Sequence, residues 1–129
     1  MSQDLSPVGK WKTIDDETGE PKSIIEIWEE NGMLYGRIEF LFLEPDEDPN
    51  PLCDKCTGEL KDQPVLGMVI LKDLKQSGQQ WKGGTILDPD NGKTYKCKIE
   101  VIEEGKRLKV RGFIGVSLLG RTQYWEKVE

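Results

Sequence analysis

The chain has 129 residues, of which 33% are charged and 36% hydrophobic, with a formal net charge of −6. That length supports one domain with a real core. An acidic chain without a basic stripe is a poor nucleic-acid partner and is repelled by anionic lipid, and no run approaches the ~20 apolar residues that span a bilayer. The absence of histidine removes the commonest general base, the commonest metal ligand and every Ser-His or Cys-His dyad. Three cysteines fall short of the usual four-ligand zinc set, so neither metal nor cofactor is expected and the chain does not read as an enzyme.

Residues 1–8 read as a flexible tail ending at Pro7, ahead of a single domain over 9–129. The opening Met-Ser-Gln-Asp-Leu-Ser-Pro is not a signal peptide, which fits a cytoplasmic protein or equally a mature form without its leader. Residues 9–14 form a short first strand with Trp11 and Thr13 on one face. A polar turn follows, then a second strand over 22–30, closed by Asn31-Gly32, the strongest hairpin dipeptide. In the third strand, 33–43, alternation places Leu34, Gly36, Ile38, Phe40 and Phe42 on the dry face.

Residues 44–63 break the pattern. Three prolines and a cluster of acids exclude a central strand, and a connection this long in a compact domain is often functional. Residues 64–72 read as the fourth strand, with a turn over 73–79, although Leu66, Ile70 and Leu74 also fit helical spacing. Residues 81–87 are a fifth strand, softened by Gly83-Gly84, and 88–92 a turn. The clearest signal lies in 93–114. Tyr95, Cys97, Ile99 and Val101 alternate with charged or polar residues, and after Glu103-Glu104-Gly105 so do Leu108, Val110, Gly112 and Ile114. A period of two gives a hairpin with one wet and one dry face. An apolar loop over 115–120 and a final strand over 121–128 complete the chain.

The sum is an all-β protein of about eight antiparallel strands in up-and-down order, with a long loop after the third strand. Closure into a barrel removes exposed edges, and eight strands leave an interior that is filled by side chains or just holds one small ligand. The first functional reading is a small hydrophobic or amphipathic ligand held by Phe40, Phe42, Ile38, Tyr95, Val110 and Ile114, with Leu118 and Leu119 at the mouth. The alternative is a filled barrel whose loop end docks a partner protein or a second copy.

Cys53-x-x-Cys56 is the sharpest local motif. A redox role needs a helix N-terminus to lower the thiol pKa, whereas this pair sits in a proline-rich loop beside Asp54. A structural disulfide closing a small ring is the favoured reading; a bridge from either cysteine to Cys97, or no bridge, are the alternatives. Glu44, Asp46, Glu47 and Asp48, like Asp88-x-Asp90-Asn91-Gly92, have the acid density for calcium. In the latter, however, the glycine falls one position early for an EF-hand loop and Lys93 follows. A solvated loop and a tight turn is the simpler reading of both.

Gly9-x-Trp11 on a first strand resembles the opening signature of the calycins, the lipocalin and fatty-acid-binding barrels. More closely, the chain is similar to a bacterial family of small exported proteins of unknown function with a calycin-like barrel. The resemblance rests on Gly9-Lys10-Trp11, Cys53-x-x-Cys56, residues 64–67, 81–89, 91–95, 110–115 and 119–125, which span nearly the whole chain. It implies export to the periplasm or beyond, and no established activity. Lipocalins stack a late arginine over the first-strand tryptophan. Here, antiparallel pairing of the first and last strands places Lys127, not Arg121, beside Trp11, and lysine covers an indole less well than a flat guanidinium.

Overall fold

Strands of period two with one apolar face cannot stay open in water; they bury that face by rolling up. The computed structural model, which describes residues 6–114 and 120–128, shows this closure. The strands are β1 Gly9–Ile14, β2 Pro21–Glu30, β3 Met33–Leu41, β4 Val69–Ser77, β5 Gln80–Asp88, β6 Lys93–Ile102, β7 Arg107–Phe113 and β8 Gly120–Lys127. Each pairs antiparallel with the next, and β8 returns to β1, giving a closed up-and-down barrel. No helix among the described residues is long and apolar enough to cross a membrane.

The connections alternate in kind. The turns at 31–32, 78–79 and 103–106 lie at one end, which is narrow and packed solid. Trp11, Ile27, Leu34, Leu74, Trp81, Ile99 and Leu108 fill it, all within the buried core. Pro7 is also fully buried there, and its carbonyl accepts a 2.8 Å hydrogen bond from the Trp11 indole N–H. The expected flexible tail is therefore tied down at its last residues by that bond and by burial of the proline ring. The connections after β1, β3 and β5, and the facing ends of β7 and β8, lie at the other end.

Register shifts occur at Thr13/Ile14 and at Lys82/Gly84, but those in β3 and β4 change the reading most. In β3 the register shifts, so that Ile24 faces Phe40 while Ile25 faces Ile38, leaving Glu39 as an extra residue. A bulge reverses which side the following residues face. Leu41 therefore turns inward, while Phe40 and Phe42 point out, 49% and 39% exposed. They meet each other edge to face with ring centroids 5.0 Å apart. The placement of Phe40 and Phe42 inside the barrel is thus corrected. β4 begins and ends later than the sequence suggests, at Val69 and Ser77. Asp73 sits at φ 61° inside it and the β3–β4 register shifts, so a strand runs through what reads as a turn.

The long β3–β4 connection is anchored. Leu52 bridges Pro64, the Cys53 amide donates to the Gln63 carbonyl at 2.8 Å, and Gly67 and Met68 continue the pairing with Ile38. Cys53 and Cys56 form a disulfide, and both are buried. Cys97 is free and buried, so no bridge reaches it. The disulfide loop packs on the β5–β6 turn: the Cys53 sulfur lies 3.6 Å from the Pro89 carbonyl oxygen. Gly92, at φ +74°, has no room for a Cβ because the Lys55 backbone occupies that space. Glycine is required there both for its conformation and for the close approach.

Candidate functional site

Above the packed end the barrel is hollow. A cavity of about 630 Å³ opens between the loops at the wide end. Ile25, Ile38, Ile70, Ile86, Val110 and Trp125 contribute its apolar wall, and Gly112 leaves an opening in it. Of the residues expected there, Ile38, Tyr95, Val110 and Ile114 line the cavity and Phe40 and Phe42 do not. Leu118 and Leu119 lie outside the described residues; the strand ends flanking them, Ile114 and Gly120, stand at the mouth.

Polar groups enter this wall in a fixed order from floor to rim. The Trp125 indole N–H donates to Gln123 Oε1 at 3.2 Å. The Gln123 amide donates to Asp16 Oδ2 at 3.3 Å, and Arg121 pairs with the same carboxylate at 3.5 Å. Thr13 and Ser23, opposite each other on β1 and β2, join hydroxyls at 2.6 Å. The Asn91 amide donates to the Tyr95 hydroxyl at 2.8 Å. The polar side chains named in this wall thus bond one another.

The rim is mainly acidic. Asp15, Asp16, Glu17, Asp88 and Asp90 stand there with Lys22 and Arg121. Backbone N–H groups of Thr18 and Glu17 bond the Asp15 carboxylate and hold its pKa below the ordinary value. Lys22 reaches from the start of β2 to Asp90 in the β5–β6 turn, an ion pair across the opening. Burial opposes its charge, but the Asp90 hydrogen bond and charge outweigh that and raise its pKa.

At the closed end, Gly9, Trp11 and Lys127 form one unit. Trp11 and Lys127 are register partners, and Lys127 Nζ sits 4.9 Å from the indole centroid. A Cβ on Gly9 would overlap Lys127 Nζ, and Gly9 lies at φ +136°. The spacing Gly-x-Trp therefore has a cause: residues two apart share a face, and the missing side chain leaves room for the cation above the ring. Arg121 is at the far end, pairing with Asp16.

Residues 9–127 match the family described as an uncharacterized protein conserved in bacteria (DUF2147). The chain belongs to this family. No curated protein matches it. Among solved structures, protein HP1028 from Helicobacter pylori, described as belonging to the lipocalin family, is similar with a TM-score of 0.81. The two share 21% identity, over 96% of this chain and 84% of that one. This DUF2147 chain is thus lipocalin-like in fold.

Several lining residues are missing from the sequence reading. Ile25 and Ser23 could have been found, since they alternate with Ile27 on β2, and Gln123 alternates with Trp125 on β8. Leu41 could not, because nothing in the alternation of β3 announces the bulge at Glu39.

Proposed function

We propose that this chain is a binding protein that holds a small apolar or amphipathic molecule inside the barrel. The observation that carries the reading is the hollow upper half. Protein interiors are packed with few voids larger than a water molecule, whereas small-molecule sites occupy about 300–1,000 Å³. A cavity of about 630 Å³ with an aliphatic wall and a charged rim belongs to the second group. Its gradient suits an amphipathic ligand, tail down against Ile38 and Val110 and head among the rim carboxylates. Parting the exposed Lys22–Asp90 pair at the rim to widen the mouth costs no more than about 1 kcal/mol.

Native mass spectrometry of protein purified from its own host, with titration of a fluorescent lipid probe, tests this. A bound mass, or saturable uptake by folded protein, is expected. Absence of both would overturn it. The disulfide fits an oxidising compartment, which supports a periplasmic or secreted location.

A second reading has its own observation. Phe40, Phe42, Leu43, Leu52, Leu66 and Ile114 are exposed on the wide-end strand termini and loop. Exposed apolar groups of this kind mark contact surfaces, here for a protein partner or a second copy. A concentration-dependent dimer lost on Phe40→Ser and Phe42→Ser would favour it. A thiol redox role through Cys53 and Cys56 has less support, since both sulfurs are shielded, at 1% and 3% residue exposure.

A further inference from the structure

The outer wall of β4–β7 carries a feature that no single strand reveals. Lys75 pairs with Lys82, Lys82 with Lys98, and Lys98 with Arg111. Four cations therefore stand side by side across four adjacent strands, a row about 15 Å long at a strand spacing of ~4.8 Å. Directly opposed like charges destabilise a sheet. Lys72 and Lys96 flank this row through Thr85, which is register partner to both, and Lys109 lies on its other side, opposite Glu100. Among the described residues no salt bridge engages Lys72, Lys75, Lys82, Lys96 or Lys109. The opposite wall behaves differently: Glu26 pairs with Arg37 at 2.7 Å and Glu39 with Lys10 at 2.8 Å.

The charge is also partitioned along the chain. Residues 1–63 carry six basic and sixteen acidic side chains, and residues 64–129 carry twelve and eight. Strands β1–β3 are themselves balanced, with Lys10, Lys12, Lys22 and Arg37 against Glu26, Glu29, Glu30 and Glu39, so the acidic excess lies mainly in the connections 15–20 and 44–63 at the wide end, while the strands β4–β7 are basic. The expectation that an acidic chain lacks a basic stripe fails here, because the stripe is assembled across strands.

We propose that the β4–β7 wall docks the barrel side-on against an anionic phospholipid surface, with the charge-balanced β1–β3 side turned away. The chemistry favours mobile anions over a fixed acidic protein epitope. Six of the seven cations in the row and beside it are lysine, a flexible point charge, rather than arginine, whose fork matches carboxylates in fixed geometry. Its cations spread over two dimensions instead of converging on one pocket. A depression of about 300 Å³ lined by Lys98, Lys109, Arg111 and Thr122, with one acid, Glu100, among them, gives one headgroup phosphate a seat. This inference is independent of what the cavity holds.

The test is vesicle flotation of the full chain with mixed phosphatidylglycerol–phosphatidylcholine vesicles and with phosphatidylcholine alone. Binding to the anionic vesicles is expected at about 0.01 M salt and should weaken at about 0.15 M, as the screening length falls from ~30 to ~8 Å. Each basic group near such a surface strengthens partition about fivefold. A variant with Lys75→Gln, Lys82→Gln and Lys98→Gln should therefore bind about 100-fold more weakly. A variant with Lys10→Gln, Lys12→Gln and Lys61→Gln has the same net charge and should bind far better than the first. Since the wall substitutions relieve repulsion on an exposed face, their melting temperature should be unchanged or higher; single Lys82→Gln, with an expected loss of about fivefold, covers the case in which the triple variant fails to fold. Equal binding to both vesicle types, equal loss in the two triple variants, or tighter binding to polyglutamate than to the anionic vesicles would each overturn the proposal.

Discussion

Gly112 is the position at which the cavity can be tested without breaking the barrel. It sits in the middle of β7, opposite Cys97, and lines the hollow. A Cβ built there would lie 3.6 Å from both Ile86 Cγ2 and Tyr95 Cβ, which is ordinary contact, and its φ is not in the left-handed region. Gly112→Leu adds four carbons to an apolar space. Full burial would contribute about 3 kcal/mol at ~0.8 kcal/mol per methylene, and removing a glycine from a strand adds about 0.5–1 kcal/mol. Ordering the leucine side chain costs about 0.5–1 kcal/mol, and the cavity is open at its mouth. The expected net gain is about 2 kcal/mol, roughly 6–10 °C in Tm for a chain of this size. The same substitution should abolish or sharply weaken uptake of the fluorescent probe. Urea unfolding and probe titration on one preparation give both readouts, and a misfolded variant would lose both together. Lower stability would mean that the space is not there to be filled. Higher stability with unchanged probe affinity would mean that the probe binds elsewhere.

Three further outcomes follow from the same geometry. Gly9→Ala forces a side chain into a left-handed position and into Lys127, and should cost about 1–3 kcal/mol; a red-shifted tryptophan emission would report loss of the Lys127 cover on Trp11, and an unchanged spectrum with unchanged stability would refute the steric account. Burial pushes the Cys97 thiol from 9.0 to about 12. The folded state therefore favours the protonated thiol, and its contribution is intact below pH 9 and lost between pH 9 and 12, by up to ~1.4 kcal/mol per pH unit. Cys97→Ala should flatten that part of the pH–stability curve relative to the parent; an identical slope would show the thiol is not responsible. The disulfide closes a ring with a sequence separation of 3, so replacing Cys53 and Cys56 by alanine should cost about 2 kcal/mol on the chain-entropy account. Reductant should lower the urea midpoint of the parent by a similar amount and leave the double variant unmoved.

The fold was legible because β6 and β7 obey the period of two without exception: Cys97, Ile99, Leu108 and Val110 are all buried and fall in register as Cys97 with Gly112, Ile99 with Val110 and Val101 with Leu108. Where a strand keeps strict alternation, sequence and cross-section carry the same information. It fails at bulges, which cost one residue and invert everything after it. Glu39 displaced Phe40 and Phe42 from the interior, and Asp73 turned a predicted loop into the middle of β4. The Trp11–Lys127 contact was legible because antiparallel closure of the first and last strands fixes which residues meet. The cavity's volume was not, because it depends on how far Ile25, Ile70, Ile86 and Trp125 reach across the barrel, and alternation gives direction but not depth. The cationic row was hidden for another reason: Lys75, Lys82, Lys98 and Arg111 are scattered over 37 positions of sequence and become neighbours through strand register alone.

The two ends of the barrel divide the physical work. A hollow and a row of adjacent cations are both destabilising choices: the first forgoes dispersion contacts, the second sets like charges opposite one another. The hollow lies away from the narrow end, where Trp11, Leu34, Leu74, Trp81, Ile99 and Leu108 pack and Pro7 and Lys127 cover the base; the cationic row runs over the outside of that packed end, with Lys75, Lys82 and Lys98 next in sequence to Leu74, Trp81 and Ile99. Hydrophobic stabilisation is concentrated where nothing has to enter, and it underlies the wall on which the like charges are set. It follows that substitutions should sort by height along the barrel axis. Ile27→Ala or Leu108→Ala, in the packed end, should cost about 2–5 kcal/mol and lower binding only through the fraction folded. Ile38→Ala or Val110→Ala, in the cavity wall, should cost less than their packed-end counterparts and change probe affinity directly, because one side of each already faces open space.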